Sequence, residues 1–325
     1  MSSPEAKRKY ARLRSNASAT RHKRIWRRVR EWIASSGFFL AAASSVVITA
    51  LIVVVLFGES WPFFRAFGLV DFLTDTEWAL DADPPRRGIL PLVSATLVTT
   101  GIALIVALPL GTVIAIYLSE FAPFAMREAI KPSLELLSAV PTVVYGYFAL
   151  LFLSPLLKVV FKWPVFSWLV TDLPQQNMLS AGIVMGIMII PYVSSLSEDA
   201  MRSVPMLLRE GSYALGGNKF VTALHVVFPS ALSGIGAAYI LGISRAIGET
   251  MIVAVAAGRL PHLTFNPARS GETITTYIVE KTQGETPYGT PEYQSIFAAG
   301  LVLFIITLVF NIAGYALRKR YHQAY

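Results

Sequence analysis

The sequence contains no cysteine. Disulfide staples, thiolate metal sites and cysteine nucleophiles are therefore excluded. Charge is also scarce. Only 15% of the 325 residues are Asp, Glu, Lys or Arg, against about 25% in a soluble protein. The four histidines, His22, His225, His262 and His322, are dispersed, so no helix-spaced zinc motif exists. His225 reads as a surface residue rather than a proton relay. No G-x-S-x-G elbow is present. No G-x-x-x-x-G-K-S/T phosphate loop is present either. Its nearest approach runs Gly211 to Gly216, followed by Gly217 and Asn218 where a lysine and a hydroxyl are needed. The chain is therefore expected to carry no hydrolase chemistry of its own and no metal site.

Hydrophobic residues are abundant, at 54%, and the mean hydropathy is +0.56. They fall in long blocks with little charge, the pattern of membrane helices. Six spans are expected, at 37–57, 89–117, 134–157, 177–196, 229–257 and 295–317. The second contains Pro109 and the third Pro141. The longer blocks must tilt, bend or extend beyond a hydrocarbon core of about 30 Å.

The formal charge of +8 does not point to nucleic acid, because many of the bases sit in one run beside the first apolar block. Residues 1–36 hold eleven Lys or Arg against Glu5 and Glu31. With six spans, this end shares a side with 118–133, 197–228 and the tail 318–325, and that side carries nineteen bases. The other side, 58–88, 158–176 and 258–294, carries eight bases and eleven acids. The positive-inside rule then places both termini in the cytoplasm. The first block is too long for a secretory signal and is expected to remain as a helix. Within 24–32, Ile25, Trp26, Val29 and Trp32 fall near one helical face among arginines, which suits an anionic inner leaflet. The loop 58–88 is acidic, with Asp71, Asp75, Glu77, Asp81 and Asp83 before Pro84, and is expected to form a small external cap.

The loop 197–228 is the most informative segment. Pro205 can open a helix. Met206, Leu207, Leu208, Arg209, Glu210, Ala214 and Leu215 are good helix formers. Gly216 and Gly217 can close it in a left-handed cap. The prediction is a short, partly apolar helix, a turn, and re-entry to the membrane at Pro229. Span five carries Arg245 and Glu249 near its middle. Each charge there costs about 2.5–3.5 kcal/mol on insertion scales, so both are functional candidates. Four apart on one helix, they are expected to share a face and to pair. Gly234, Gly236, Gly242 and Gly248 are expected to let neighbouring helices approach closely. A guanidinium suits a tetrahedral oxyanion, while a packing role for the pair remains open.

The segment with Glu210, Gly216, Val226, Phe228 and Pro229 resembles the EAA loop of binding-protein-dependent ABC permeases, with Gly211 and Ser212 where the family has two alanines. The stretch 242–251 (GISRAIGETM) resembles phosphate permeases of the PstC and PstA type. Gly88-Ile-Leu-Pro91, Thr96-Leu-Val-Thr99 and Ala139-Val-Pro-Thr-Val-Val-Tyr-Gly146 look like PstC, as do the extra first helix and its loop. The resemblance implies an all-α type I importer permease. It has a basic segment at 1–36, a first helix and external loop at 37–88, a five-helix core at 89–317 and a cytoplasmic tail at 318–325. It implies phosphate import by alternating access in the cell inner membrane. Arg245, Glu249 and Thr250 would lie on the substrate pathway, and Glu210, Ala214, Gly216 and Pro229 in the ATPase coupling loop. The expected partners are a PstA-type permease, two PstB-type ATPase subunits carrying ATP and Mg, a PstS-type external phosphate-binding protein, and membrane lipid. This chain is expected to hold no cofactor. From the residues alone, three readings stay open: transport of another oxyanion, proton-coupled transport through Glu249, and a sensor that does not transport.

Overall fold

A computed structural model describes residues 4–79, 85–163, 173–284 and 286–321. Asp81, Asp83 and Pro84 lie outside the described residues, as do the side chains of Ile25, Val29, Arg318 and Arg320. Six helical segments are long and apolar enough to cross a membrane: Arg30–Phe67, Leu90–Phe121, Thr142–Phe161, Met178–Arg202, Lys219–Ile247 and Pro291–Ala316.

The chain divides into two units, Met1–Gly58 and Glu59–Tyr325. The first unit is helical throughout its described residues, part of helix α1 (Pro4–Phe67). Its apolar side chains, among them Phe38, Val46 and Val54, are exposed, which suits a helix surrounded by lipid.

The second unit is built around helix α7 (Met178–Arg202). Buried residues make up 61% of the α7 apolar window and at most 28% of any other span. Its fully buried side chains include Met178, Met185, Met188, Ile189 and Val193. Helix α3 (Leu90–Ile116) lies along it. The approach is close because α7 offers glycine. A Cβ on Gly182 would sit 2.7 Å from Ile102 Cβ, and one on Gly186 2.8 Å from the Ala103 carbonyl. Small residues at such contacts let backbones pack without bulky side chains between them. Of the four span-five glycines, Gly234 and Gly242 do meet neighbours on α7, at Ala200 and Val193, whereas Gly236 faces open space and Gly248 meets only the Ser244 carbonyl.

Several expected boundaries move. The first helix runs on to Phe67, so the expected loop from 58 begins about ten residues late, and the fourth span runs on to Arg202 rather than 196. The third span begins later than residue 134, because Pro141 separates helix α4 (Phe124–Ala139) from helix α5 (Thr142–Phe148). Val140 is extended there, as a residue before proline prefers. Helix α6 (Ser154–Phe161) completes that span. The fifth span starts earlier, with helix α9 (Lys219–Thr222), and continues as helix α10 (Phe228–Ile247). It then breaks at Gly248–Thr250 before helix α11 (Met251–Ala256). The expected loop 258–294 contains a further helix, α12 (Ile274–Gln283), whose start is capped by the Thr273 side chain. Helix α13 (Pro291–Tyr321) forms the last span.

Three π-helical turns, Tyr117–Phe121, Ala149–Leu153 and Ala223–Val227, each end two residues before a proline: Pro123, Pro155 and Pro229. Proline lacks an N–H and clashes with the carbonyl four residues earlier. At Pro155 and Pro229, where the chain continues as helix, a widened turn gives that carbonyl room, whereas before Pro123 the chain has already turned extended at Ala122. The i+5 bonds Ala122 N to Tyr117 O, Ser154 N to Ala149 O and Phe228 N to Ala223 O close each one.

The acidic loop does form a small cap. Helix α2 (Leu69–Thr74) and a two-strand hairpin, β1 (Trp78–Ala79) with β2 (Arg86–Arg87), pack over an aromatic cluster. Phe63 meets Phe72 edge to face at 5.6 Å, and Trp78 meets Tyr277 of α12 at 5.0 Å. Edge-to-face contacts are the favoured geometry for aromatic pairs.

Candidate functional site

The expected pairing of Arg245 with Glu249 does not form. Helix α10 ends at Ile247, so the two residues no longer share a helical face. Arg245 is exposed, and its guanidinium lies 5.6 Å from the ring centre of Tyr192 on α7. That is a cation–π distance, and no ion pair engages Arg245 among the described residues. Glu249 has another task. Its carboxylate accepts from Met251 N at 3.0 Å and Ile252 N at 3.3 Å. It thereby fills the orphan donors that open α11.

The break is held from a second side. Thr275 of α12 donates its hydroxyl to the Glu249 carbonyl at 2.8 Å. Thr250 donates to the Gly248 carbonyl at 3.3 Å and is half-buried. Around α12, Ile274 N donates to the Thr96 hydroxyl at 3.1 Å, and Thr273 meets the hydroxyls of Thr275 and Thr276. The Thr96–Thr99 stretch read from sequence is thus part of the seat for α12. The arrangement leaves the Arg245 guanidinium without an ion pair among the described residues, beside a helix break held by the Glu249 carboxylate on backbone N–H groups and by threonine hydroxyls. Such a group can meet an anion without first breaking an ion pair.

The second expected site folds as its residues suggest. Pro205 caps helix α8 (Met206–Ala214) at its start. Gly216 adopts φ +83°, a conformation that favours glycine. Gly216 N bonds to Tyr213 O and Gly217 N to Ser212 O, both at 2.9 Å, the paired bonds of a Schellman cap. Glu210 and Ala214 are exposed, as are Met206, Leu207, Tyr213 and Leu215. Pro229 lies in the first turn of α10, after the π turn. Arg209, beside Glu210, points inward instead and pairs with Glu120 at 3.0 Å.

Sequence reasoning missed Tyr192, Glu120 and the partners of Arg209. Tyr192 carries no signal in a span rich in apolar residues. Glu120 was visible as an acid just after a predicted span.

The structural relatives share this architecture. A bacterial alginate ABC transporter, solved with a pentasaccharide-bound periplasmic protein, superposes with a TM-score of 0.61, covering 90% of this chain and 95% of that one at 16% identity. The probable ABC transporter permease YqgH of Bacillus subtilis is 34% identical over 74% of this chain and 75% of its own. The phosphate transport system permease PstC of Pasteurella multocida is 33% identical over 78% of this chain and 81% of its own. The family model for binding-protein-dependent transport system inner membrane components matches residues 107–323. This chain belongs to that family and is a multi-pass membrane permease of the ABC importer type.

Proposed function

We propose that the chain is the PstC-type permease of a phosphate importer and moves inorganic phosphate across the plasma membrane by alternating access. One observation carries the reading: the Pasteurella relative that spans most of both chains is a phosphate permease. Arg245 supports it physically. A guanidinium offers five donors in a planar fork that fits a tetrahedral oxyanion. In this reading Arg245 attracts the anion. Glu249 and Thr250 set the break in span five that places it.

The chain hydrolyses no ATP, since it lacks a phosphate loop; ATP and Mg belong to two PstB-type subunits. Helix α8 docks on one of them. Its exposed Met206, Leu207, Tyr213 and Leu215 supply apolar contact, while Glu210 and Ala214 lie on the exposed surface of the helix. Gly216 and Pro229 fix the turn that returns the chain to the membrane. A PstA-type permease completes the pathway, and a PstS-type protein delivers phosphate from outside. Both termini face the cytoplasm by charge bias.

The test is phosphate uptake into proteoliposomes holding the complete complex. Uptake is expected only with ATP and the loaded binding protein. Uptake driven by a proton gradient without the ATPase subunits would overturn the reading.

A further inference from the structure

Two arginines bind the ends of α3 and α7 reciprocally. Arg209 of α8 donates from Nη1 to Val204 O at 2.6 Å and from Nη2 to Met201 O at 2.9 Å, at the end of α7. Its Nη2 also reaches Glu120 Oε1 at 3.0 Å, in the turn that follows α3. Arg127 of α4 mirrors it. Arg127 Nε donates to Leu118 O at 2.8 Å and Nη2 to Ser119 O at 3.0 Å, carbonyls of that same turn. It also approaches Glu198 Oε1 of α7 at 3.7 Å. Each arginine thus donates to carbonyls at one helix end and faces an acid at the end of the other helix.

The bracket is sheltered from water. The Arg209 and Glu120 side chains are 11% and 7% exposed, and Glu198 is fully buried. These are not the exposed ion pairs that contribute little. Lys131 adds contacts to Glu198 at 2.9 Å and Asp199 at 2.7 Å, and Arg202 lies 3.5 Å from Glu198. Burial lowers the Lys131 pKa, but the two carboxylates outweigh it and hold the ammonium above its ordinary value.

Toward α10, helix α8 is held differently. Among the described residues its polar side-chain link there is one hydroxyl pair, Ser212 with Thr222 at 2.8 Å. Leu208 adds apolar packing in the cluster with Val227 and Ala231, a contact with no fixed direction. The chain then enters α10 through the widened turn Ala223–Val227.

We infer that Arg209, Glu120, Arg127 and Glu198 are positioning residues that join α8, α4 and the α3–α7 pair into one lever, which shifts α7 against α10 when α8 is driven. Tyr192 sits on α7 six residues before Glu198, about 9 Å along the helix. Its ring faces Arg245 of α10. Movement of the lever therefore reaches the Arg245 environment directly. The inference rests on the proposed function for the identity of the driving subunit and the cargo.

A Glu120→Cys/Arg209→Cys variant is reconstituted with all partners, and phosphate moved per ATP hydrolysed is measured. Because this chain has no cysteine, the two introduced thiols are its only ones, and the complex built with the unsubstituted chain and treated with the same reagent is the control for thiols on the partners. With free thiols, ATP hydrolysis persists while the ratio falls at least about fivefold, the low end of coupling between sites. Joining the thiols with a short bismaleimide restores the ratio. A free-thiol variant that couples like the unsubstituted protein, or a cross-link that stops transport, overturns the lever. If the double variant does not assemble, Glu120→Gln is read the same way, and an unchanged ratio overturns the proposal. If the unsubstituted complex moves a different anion, the phosphate reading fails and the ratio is read on that anion, so the lever is judged separately.

Discussion

The two ends of α7 are held by different chemistry. At its start the bonds are neutral. Asn177 N donates to Ala256 O at 2.9 Å, Met178 N to Arg269 O at 3.0 Å and Leu179 N to Pro267 O at 2.8 Å. The Asn177 side chain accepts from Ser180 N at 2.8 Å and donates to Ser154 at 3.0 Å. Backbone carbonyls from the last residue of α11 and from the loop after it thus occupy donors that a helix start leaves open. At its other end, about 37 Å away along 25 residues, charged side chains do the holding. Short backbone bonds fix an end to one seat. Long charged side chains bind separate helices together while leaving the assembly free to move as a body. The neutral end reads as an anchor, the charged end as a point of attachment for force.

The comparison can be broken most strongly by charging the neutral end. Glu272 lies beside that seat: it is buried, and its neighbour Gly271 packs on Met178. Burial, and then the charge of Glu280, push its pKa from 4.5 up to about 8 against the pull of Lys281 and Arg259. Because the folded value lies above the unfolded one, the protonated acid favours the fold. Its contribution is complete below about pH 4.5 and is lost as pH rises toward 8. Thermal unfolding in detergent should show a loss of up to about 4 kcal/mol across that window. Glu272→Gln should remove the slope and be more stable than the unsubstituted protein at pH 8.5. A slope that survives this substitution would contradict the assignment.

The next effect is expected at the charged end. Glu198→Leu leaves Arg127, Lys131 and Arg202 without their shared acid. The bases left behind are part-exposed and Lys131 keeps Asp199, so the loss is expected at about 2–3 kcal/mol, read as a lowered unfolding temperature. Asn177→Ala at the neutral end removes one cap and should cost about 1–2 kcal/mol. A larger loss from Asn177→Ala than from Glu198→Leu would reverse the comparison.

Much of this organisation was legible from residue order. Hydropathy marked six spans because lipid imposes long apolar runs, and the proline–glycine frame of α8 marked its start and stop. The break in span five was hidden inside an apolar run. Its signal was Gly248 followed by Glu249, whose carboxylate caps α11 rather than pairing with Arg245. The Pro141 break was visible, but only the backbone showed that α4 stands apart as a separate helix. The arginine bracket was not legible, because its members are 89 residues apart at Arg209 and Glu120. Counted as loop bases, Arg127 and Arg209 spoke only for orientation, and Glu120 and Glu198 entered no count.

Phosphate uptake by the reconstituted complex carrying Arg245→Ala tests the account most directly. The account predicts intact assembly and uptake reduced at least about tenfold, the loss of one charge-assisted contact worth about 1.5–3 kcal/mol. Uptake equal to that of the unsubstituted complex would contradict it.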